Sequence, residues 1–477
     1  MNQRVAKARA RYVGASALLL GSLLVRPTQA DVVLLDKDGW TAYMNGRMQT
    51  FLNYNQGTGL PPMIRDANEN SVSLQGGGVG PTDAAFERQP REDGTYDPND
   101  AGKVQELRIR TGFVGNVLGF GVKKKLSADT TIGGYTAVTV YIDSPSRRKY
   151  APVLPDWRES FLRLEAPWGS VTAGRTLVLF SRGATEITYL YGYRYGLGWP
   201  GSISNLGENG PTAGHVGFGV LGNGFGAGIA YATPKLAGAQ LTVGAYDANN
   251  IPGSGTLERT KWPRAEGEAT FDTTLGTLGM FKVFVNGAFQ KIYEQQGWRD
   301  QDILGVGYGG RVELGPVRLG LAGHIGKGIG VDFALQPHPS GWRNDSVEKE
   351  FRTVDGFYAH LQVAPTERFD LMAGAGITRV HRLAEDLVDD NDDDMNPATS
   401  AANDDAIPAQ DSVGYIPLKH QIGFSGGVTV HLDDNLHLAL EYFRAMIKWH
   451  TPIPAAPGQD GPSQNFHVVN TGVTYDF

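Results

Sequence analysis

The feature that most constrains the fold is a period-two alternation of side chains, repeated in segments of about ten residues along most of the chain. In residues 40–53 the even-numbered positions include Met48 and Leu52, whereas the odd-numbered positions include Asn45 and Arg47. Successive side chains of a β-strand point to opposite faces, so each segment predicts a strand with one apolar face and one polar face. Similar alternation recurs in residues 104–114, 283–293, 357–363 and 436–447.

Short and long connectors alternate between these segments. The short polar turns are residues 127–130, 166–169, 234–238, 275–277, 314–316, 364–368 and 432–435. The long connectors are residues 54–103, 143–156, 176–211, 248–263, 328–353, 382–418 and 451–465. Such alternation puts all short turns at one rim and all long loops at the other, as in transmembrane β-barrels. Counting one hairpin per short turn predicts about 16 strands. The fold class predicted is therefore all-β, a transmembrane antiparallel β-barrel. The strand boundary least defined by the sequence lies in residues 112–126.

Composition supports the barrel over other β folds. The chain has no Cys, which excludes a disulfide-held scaffold, and many of its 64 Gly lie inside alternating segments. No segment after the N-terminus resembles a transmembrane helix. A soluble sandwich or propeller would also alternate, but no repeat of fixed period is present, and connectors this long are uncommon in compact soluble domains.

Residues 1–30 have the pattern of a signal peptide. Basic residues precede an apolar stretch, residues 13–25, and Thr28-Gln29-Ala30 offers a cleavage site after Ala30. The apolar stretch is shorter than the roughly 20 residues of a permanent anchor, which is the alternative. We therefore expect export, with residues 31–477 forming one barrel domain.

Charge argues against a nucleic-acid partner. The net charge is −7, and without the five basic residues of the leader it is about −12. Nucleic-acid binding relies on an excess of Lys and Arg. Ten acidic residues and no basic ones lie in residues 385–411, within the long connector 382–418. We expect this connector to be a solvated acidic extracellular loop. The alternative is that it holds divalent cations that bridge lipopolysaccharide phosphates, although it lacks the glycine turn and terminal Glu of a calcium-binding loop.

No catalytic or cofactor motif is present. The sequence has no Gly-x-Ser-x-Gly elbow, no His-Glu-x-x-His pair and no phosphate-binding glycine loop. We therefore expect no enzymatic activity, no catalytic residue, no cofactor and no metal site. An outer-membrane barrel hydrolase is a remote alternative, because a catalytic pair need not be adjacent in sequence.

Several local motifs together resemble one family. Residues 31–47 contain a Lys-Asp-Gly followed by Tyr43-Met-Asn-Gly-Arg47, and residues 110–115 read RTGFVG. Residues 158–175 form a hairpin that ends in Gly-Arg, and residues 213–217 stand where the barrel wall resumes after the next long loop. In this order and spacing, which span nearly all of residues 31–477, the motifs resemble the trimeric general-diffusion porins of Gram-negative bacteria.

The resemblance implies a homotrimer of 16-stranded barrels, each with its third long loop folded into the lumen as a constriction. A ladder of basic residues on the pore wall would face acidic residues of that loop, and the opposed charges would set up a transverse field. Carried over by position, the ladder is Arg47, Arg108, Arg110, Arg175 and His215. The constriction loop, residues 176–211, would supply Arg182, Glu186, Arg194 and Glu208.

This chain departs from the family pattern in two ways. His215 stands where the family tends to carry Arg, and the loop includes basic residues beside its two acids. The loop is also rich in aromatic residues, which could stack on the apolar faces of sugars or could pack the loop against the wall. The candidate stacking residues are Tyr189, Tyr191, Tyr193, Tyr195 and Trp199.

The C-terminal strand ends in Phe477, with Tyr475 and Val473 on the same face, which resembles the signal read by the outer-membrane insertion machinery. The resemblance therefore implies a water-filled outer-membrane channel for passive diffusion of small hydrophilic solutes and ions, surrounded by lipid and lipopolysaccharide. The alternative within this class is a channel selective for a sugar or for an anion such as phosphate. We expect weak anion preference or near neutrality.

Overall fold

The computed structural model describes residues 31–58, 64–65, 71–75, 86–87, 102–112, 114–142, 155–187, 212, 214–248, 261–293, 300–331, 334, 351–383, 414–452 and 457–477. The predicted signal peptide, residues 1–30, and the acidic run of residues 385–411 lie outside them. The strands are β1 (Val32–Lys37), β2 (Trp40–Thr58), β3 (Ile64–Arg65), β4 (Ser71–Gln75), β5 (Phe86–Glu87), β6 (Lys103–Arg110), β7 (Asn116–Lys125), β8 (Thr131–Val140), β9 (Asp156–Ala166), β10 (Gly169–Leu177), β11 (Phe225–Ala232), β12 (Ala239–Tyr246), β13 (Arg264–Thr274), β14 (Gly279–Ile292), β15 (Gln301–Leu314), β16 (Val317–Lys327), β17 (Thr353–Thr366), β18 (Phe369–Val380), β19 (Gly414–His431), β20 (Leu436–Trp449) and β21 (Ser463–Asp476). One short helix, α1 (Arg182–Ile187), follows β10.

The wall is a closed antiparallel barrel of 16 strands, as the alternation and the turn count predict. From β7 to β21 each strand pairs with the next, and β21 pairs back onto β2 from Arg47↔Asp476 to Gly57↔Phe466. Two pairs of elements each share one wall position: β6 with β7, and β21 with β1. Closure gives every wall position a hydrogen-bonded neighbour on both sides. No sheet edge is then left with unpaired backbone groups in lipid, where water is absent to satisfy them.

β6 and β7 share one wall position and are separated by residues 111–115, in the region where the sequence left the boundary open. Both pair with β2, through Phe51↔Arg110 and Arg47↔Val117. At the interruption Gly115 has a φ of +74°, and a Cβ there would lie 2.6 Å from the Thr139 side chain. A glycine at this position therefore lets the strand bend without a clash.

The chain ends meet in the last wall position. β1 pairs with β2 from Val32↔Met44 to Lys37↔Trp40, directly beyond the end of β21. The Gly46 amide donates to the Phe477 carbonyl at 2.7 Å, and the Phe477 amide donates to the Gly46 carbonyl at 3.0 Å. The C-terminal residue is thus part of the hydrogen-bonded wall.

Some strands extend into segments that the sequence predicts to be connectors. β2 continues to Thr58, β17 to Thr366, and β19 begins at Gly414 rather than after residue 418. The short strands β3, β4 and β5 lie within the predicted first connector, and β4 pairs in parallel with the start of β19. These extensions are explained by pairing with neighbouring strands, which local sequence does not specify.

The two faces of the wall differ in polarity. On β2 the odd-numbered side chains, including Arg47 and Asn53, face inward and are buried, whereas Met48 and Leu52 are exposed on the outer face. Apolar residues such as Leu107 continue the exposed band on the neighbouring strands. A broad exposed apolar band suits contact with lipid rather than water. Within the described ranges, no helix has the length and hydropathy needed to cross a membrane.

Candidate channel and its constriction

The long connector between β10 and β11 enters the barrel. We call residues 178–224 the inner connector; its described residues are 178–187, 212 and 214–224. Because β10 ends at Leu177 and the wall resumes at Phe225, the connector begins and ends later than the predicted 176–211. Its helix α1 lies against β14, β15 and β16, and this places a loop inside the lumen as expected.

Carboxylates on β13 hold the outgoing limb of the inner connector. Glu266 Oε2 accepts hydrogen bonds from the amides of Leu179 and Phe180, at 2.7 and 2.8 Å. Arg182 Nε donates to Glu268 Oε1 at 3.0 Å. Both carboxylates are buried in the wall. Buried N–H donors need hydrogen-bond partners, and here the wall carboxylates of β13 supply them. These bonds hold the limb against the wall.

The returning limb is anchored on the far side of the barrel. His215 Nε2 lies 2.6 Å from Glu441 Oε1 on β20, and its ring stacks on Phe443 with centroids 4.3 Å apart. The Gly219 amide donates to Thr378 Oγ1 at 2.8 Å. His215, predicted as a residue of the wall, therefore belongs instead to the connector that crosses the lumen.

Gly219 shows how closely this limb approaches the wall. Its φ is +88°, and a Cβ would lie 2.3 Å from the Phe357 carbonyl oxygen. On β18, a Cβ at Gly376 would lie 2.1 Å from the Phe218 carbonyl oxygen. Two glycines thus allow backbone to pack directly on backbone.

The two limbs also contact each other and bury an apolar cluster with the wall. Ser181 Oγ donates to the Leu221 carbonyl at 2.5 Å. Phe180 and Phe218 of the connector lie in one buried cluster with wall residues such as Phe443 and Val468. The lumen along β14–β21, toward the long connectors, is therefore packed with apolar side chains.

Three residues of the predicted basic ladder face the lumen. Arg47 Nε lies 2.7 Å from Asp476 Oδ1. Arg108 and Arg110 both contact Glu106, at 3.0 and 3.2 Å. The acidic partners of these three arginines that the structure describes stand on the wall, not on the connector. Between the described residues of the inner connector and the wall, the ion pair is Arg182 of the connector with Glu268 of β13.

Arg175 requires a correction, because it lies on the outer face of the barrel. It pairs with Ser160 and Ala227, so it shares a face with Leu162 and Ile229 on the adjacent strands. Those two side chains are 61% and 62% exposed, and Arg175 is exposed as well. The even-numbered residues of β10 face inward. Arg175, the last residue of the Gly-Arg motif, is odd-numbered, so its side chain points away from the pore.

Several predicted site residues lie outside the described part of the chain. Glu186 belongs to α1, but its side chain is not among the described ones. The others outside the described residues are Arg194, Glu208, Tyr189, Tyr191, Tyr193, Tyr195 and Trp199.

A cleft remains beside the inner connector, along β9–β12. Its lining includes Arg163, Thr172, Gln240, Thr242, Tyr246 and Arg182. The first five are inward-facing wall residues, and Arg182 comes from the connector. The cleft therefore combines hydroxyl, amide and guanidinium groups, which suit a hydrated solute.

An aromatic surface lies on the inner wall next to this cleft. Tyr43 and Tyr135 have ring centroids 6.5 Å apart, and Tyr135 and Phe161 are 5.7 Å apart. Gly121 stands between the two tyrosines, where a Cβ would lie 2.1 Å from Tyr43 Cζ. Without a side chain at that position, the rings can lie along the wall.

Sequence reasoning missed this aromatic surface and the three wall carboxylates Glu266, Glu268 and Glu441. Their signal was the inward parity: Tyr43 belongs to the odd-numbered set that includes Arg47, and Glu266 and Glu268 alternate in β13.

Comparison with known proteins gives structural matches only. No protein-family profile matches the sequence, and no curated protein is similar enough to be matched. The outer membrane channel DcaP of Acinetobacter baumannii aligns with a TM-score of 0.58 at 12% identity, over 94% of this chain and 100% of that one. An anion-selective porin from Comamonas acidovorans aligns with a TM-score of 0.49 at 14% identity, over 92% of this chain and 100% of that one. Salmonella typhi OmpF, in complex with daunomycin, also gives 0.49, at 11% identity over 93% and 99%.

The first of these matches covers both chains almost completely, and it agrees with the strand count, the closure and the polarity of the two faces. The protein therefore has the fold of an outer-membrane channel, a closed antiparallel barrel of 16 strands.

Proposed function

We propose that the protein is an outer-membrane porin, a channel through which small hydrophilic solutes and ions diffuse passively. The observation that carries the proposal is a closed barrel, apolar outside and polar inside, with a connector folded into its lumen. Such a barrel offers water a path that lipid does not. The likeness in fold to a protein described as an outer membrane channel supports the same function.

Location and assembly belong to the same proposal. The signal peptide, cleaved after Ala30, would deliver the chain for insertion by the outer-membrane machinery, with Phe477, Tyr475 and Val473 as the signal. Tyr475 and Val473 are exposed on the outer face and Tyr475 stacks on Phe477, an arrangement compatible with that role. The long connectors would lie outside the cell. We expect a homotrimer embedded in lipid and lipopolysaccharide.

We infer that the aqueous path follows the cleft along β9–β12, since apolar side chains pack the lumen along β14–β21 toward the long connectors. Arg163 and Arg182 line this path, with Glu165 paired to Arg163 at 2.9 Å and Glu268 paired to Arg182. Paired charges leave little net field, which favours near-neutral or weakly anion-preferring conduction.

A solute-selective channel is the second candidate, and the polar lining of the cleft favours it. The Thr172 hydroxyl, the Gln240 amide and the Arg182 guanidinium are groups that can hydrogen-bond a sugar or an anion. Reversible block of the current by a sugar, weakened by Gln240→Ala, would support selectivity. If neither sugars nor phosphate block the current, the result would favour the general-diffusion channel over the solute-selective one.

The test is single-channel recording of refolded, heat-modifiable protein in a planar bilayer under a salt gradient. We expect long-lived ohmic steps that close in groups of three, and a reversal potential near zero or slightly anionic. Strong cation selectivity would contradict the inferred path. Silence from a correctly inserted barrel would overturn the channel and favour a plugged or enzymatic barrel.

A further inference from the structure

A row of basic side chains lies on the outer face of the barrel, near the rim that carries the long connectors. We call Arg379, Lys419, His420 and Lys448 the rim patch. In the strand register His420 on β19 stands directly opposite Arg379 on β18 and opposite Lys448 on β20. Lys419 is exposed beside them at a register shift of β19.

Arg379, Lys419 and Lys448 are like charges held around the His420 imidazole, which is mostly neutral near pH 7. Like charges on neighbouring strands repel, so the arrangement costs stability unless a counter-charge is present. Two acids face the patch. Asp355 contacts Arg379 at 2.9 Å and His381 at 2.5 Å, and Asp460 contacts Lys448 at 2.5 Å. Asp460 and Lys448 form a surface ion pair, and such pairs contribute little to the free energy of folding. Asp460 also lies within the electrostatic range of Lys419. Among the described residues, Arg379, Lys419 and Lys448 therefore face two carboxylates, which leaves one positive charge in excess.

The patch lies at the upper border of the apolar outer face. The next outward row toward the barrel centre is Phe357, Ile377, Ile422 and Met446 on the same four strands, β17–β20. Exposed Phe424, Leu440 and Tyr442 continue the apolar band below. A cation at this border would stand where acyl chains give way to headgroups.

Two further basic groups lie on the same outer face, nearer the barrel centre. Arg444 on β20 pairs in register with His467 on β21, two rows nearer the barrel centre, and both side chains are exposed. A long arginine in an apolar band extends its head toward the nearest polar boundary, which here is the rim patch. No carboxylate other than Asp355 and Asp460 contacts these cations among the described residues.

We propose that the rim patch binds the phosphate group of an anionic lipid in the outer leaflet. The inference rests on the proposed location of the barrel in an outer membrane. Lysine and arginine hydrogen bonds to a phosphate are charge-assisted and strong, and one phosphate between β18 and β20 would offset the repulsion across His420. Acyl chains of the same lipid would cover Ile422 and Phe424, which a free phosphate ion could not do.

The test compares lipid retained by the intact protein after extraction from phosphatidylcholine nanodiscs doped with lipid A, measured by native mass spectrometry. The test variant combines Arg379→Gln, Lys419→Gln and Lys448→Gln. The control combines Lys37→Gln, Lys103→Gln and Lys125→Gln, which removes the same charge at exposed positions away from the patch. Each basic side chain near an anionic membrane surface contributes about a fivefold factor, so we expect about a 100-fold loss in the test variant. The control should bind as the original protein does.

Lys419→Gln alone, which breaks no described ion pair, should lose about fivefold and guards against misfolding of the triple variant. Retention of phosphorylated but not dephosphorylated lipid A, without competition by millimolar inorganic phosphate, would support the lipid site. Equal retention by the test variant would overturn it. Strong competition by inorganic phosphate would reassign the patch to a free anion, and a changed oligomeric state would reassign it to contact between copies. Unchanged conductance of the test variant would show that the channel function stands independently.

Discussion

The buried carboxylate of Glu266 provides the sharpest test of how the inner connector is held. Its Oε2 accepts the amides of Leu179 and Phe180, and its Oε1 lies 2.6 Å from Arg264 Nε. Glu266→Ala removes the single oxygen that accepts both of these hydrogen bonds, from amides that lie inside the lumen. Arg264 keeps a second partner, because its Nη1 donates to the Asp247 carbonyl at 3.0 Å.

The magnitude follows from the two lost hydrogen bonds. A bond to a charged acceptor contributes about 1.5–3 kcal/mol, so the docked connector should lose about 3–6 kcal/mol relative to a released one. Because about 1.4 kcal/mol is tenfold in population, the ratio of released to docked connector should rise at least about 100-fold. Glu266→Gln retains one oxygen that can accept both amides, so its effect should be much smaller.

The assay is single-channel recording, with the mean conductance and the flicker between levels as readouts. We expect larger and noisier conductance for Glu266→Ala and near-original traces for Glu266→Gln. Glu313→Ala is the matched control, because it removes a wall carboxylate that pairs with Arg311 and Arg318 instead. Quiet, unchanged traces from Glu266→Ala would refute the anchoring role. Equal disturbance by Glu266→Gln would show that charge, rather than the acceptor geometry, holds the connector.

Three further predictions concern other parts of the barrel. Gly219→Val should drive the returning limb off the wall and cost about 1–3 kcal/mol, visible as a lower temperature of the gel-mobility shift on heating, because its Cβ would overlap the Phe357 carbonyl. Arg175→Ala should leave the reversal potential unchanged, whereas Arg163→Ala should shift it toward cation preference. Of these two arginines, Arg163 lines the cleft and Arg175 lies on the outer face. Asp433, in the turn before β20, accepts the amides of Asn435 and Leu436 at 2.7 and 2.8 Å, and these bonds lower the pKa of its carboxyl. Asp433→Ala should therefore reduce heat stability at neutral pH, and the difference should shrink as the pH falls below about 3.9 and then through the lowered pKa, where the carboxylate of the original protein is protonated too.

The alternation and the connector lengths predicted the barrel and its 16 strands because both are local properties. The face of a strand residue follows from its parity, and short turns join neighbouring strands directly. The same rule explains the correction at Arg175. A one-residue difference in register places a side chain on the opposite face, and a motif match does not define the register.

The sequence pattern alone therefore predicted the closed wall and its apolar outside, and the resemblance to the porin family implied a loop inside the lumen. Only the tertiary structure decided which charges meet. Arg47 pairs with Asp476, 429 positions away, and His215 contacts Glu441, 226 positions away. Contacts at such separations depend on how the strands are staggered around the barrel and on where the connector crosses it. For this reason the roles of Glu266, Glu268 and Glu441, the wall acids that contact the inner connector, could not be read from the sequence.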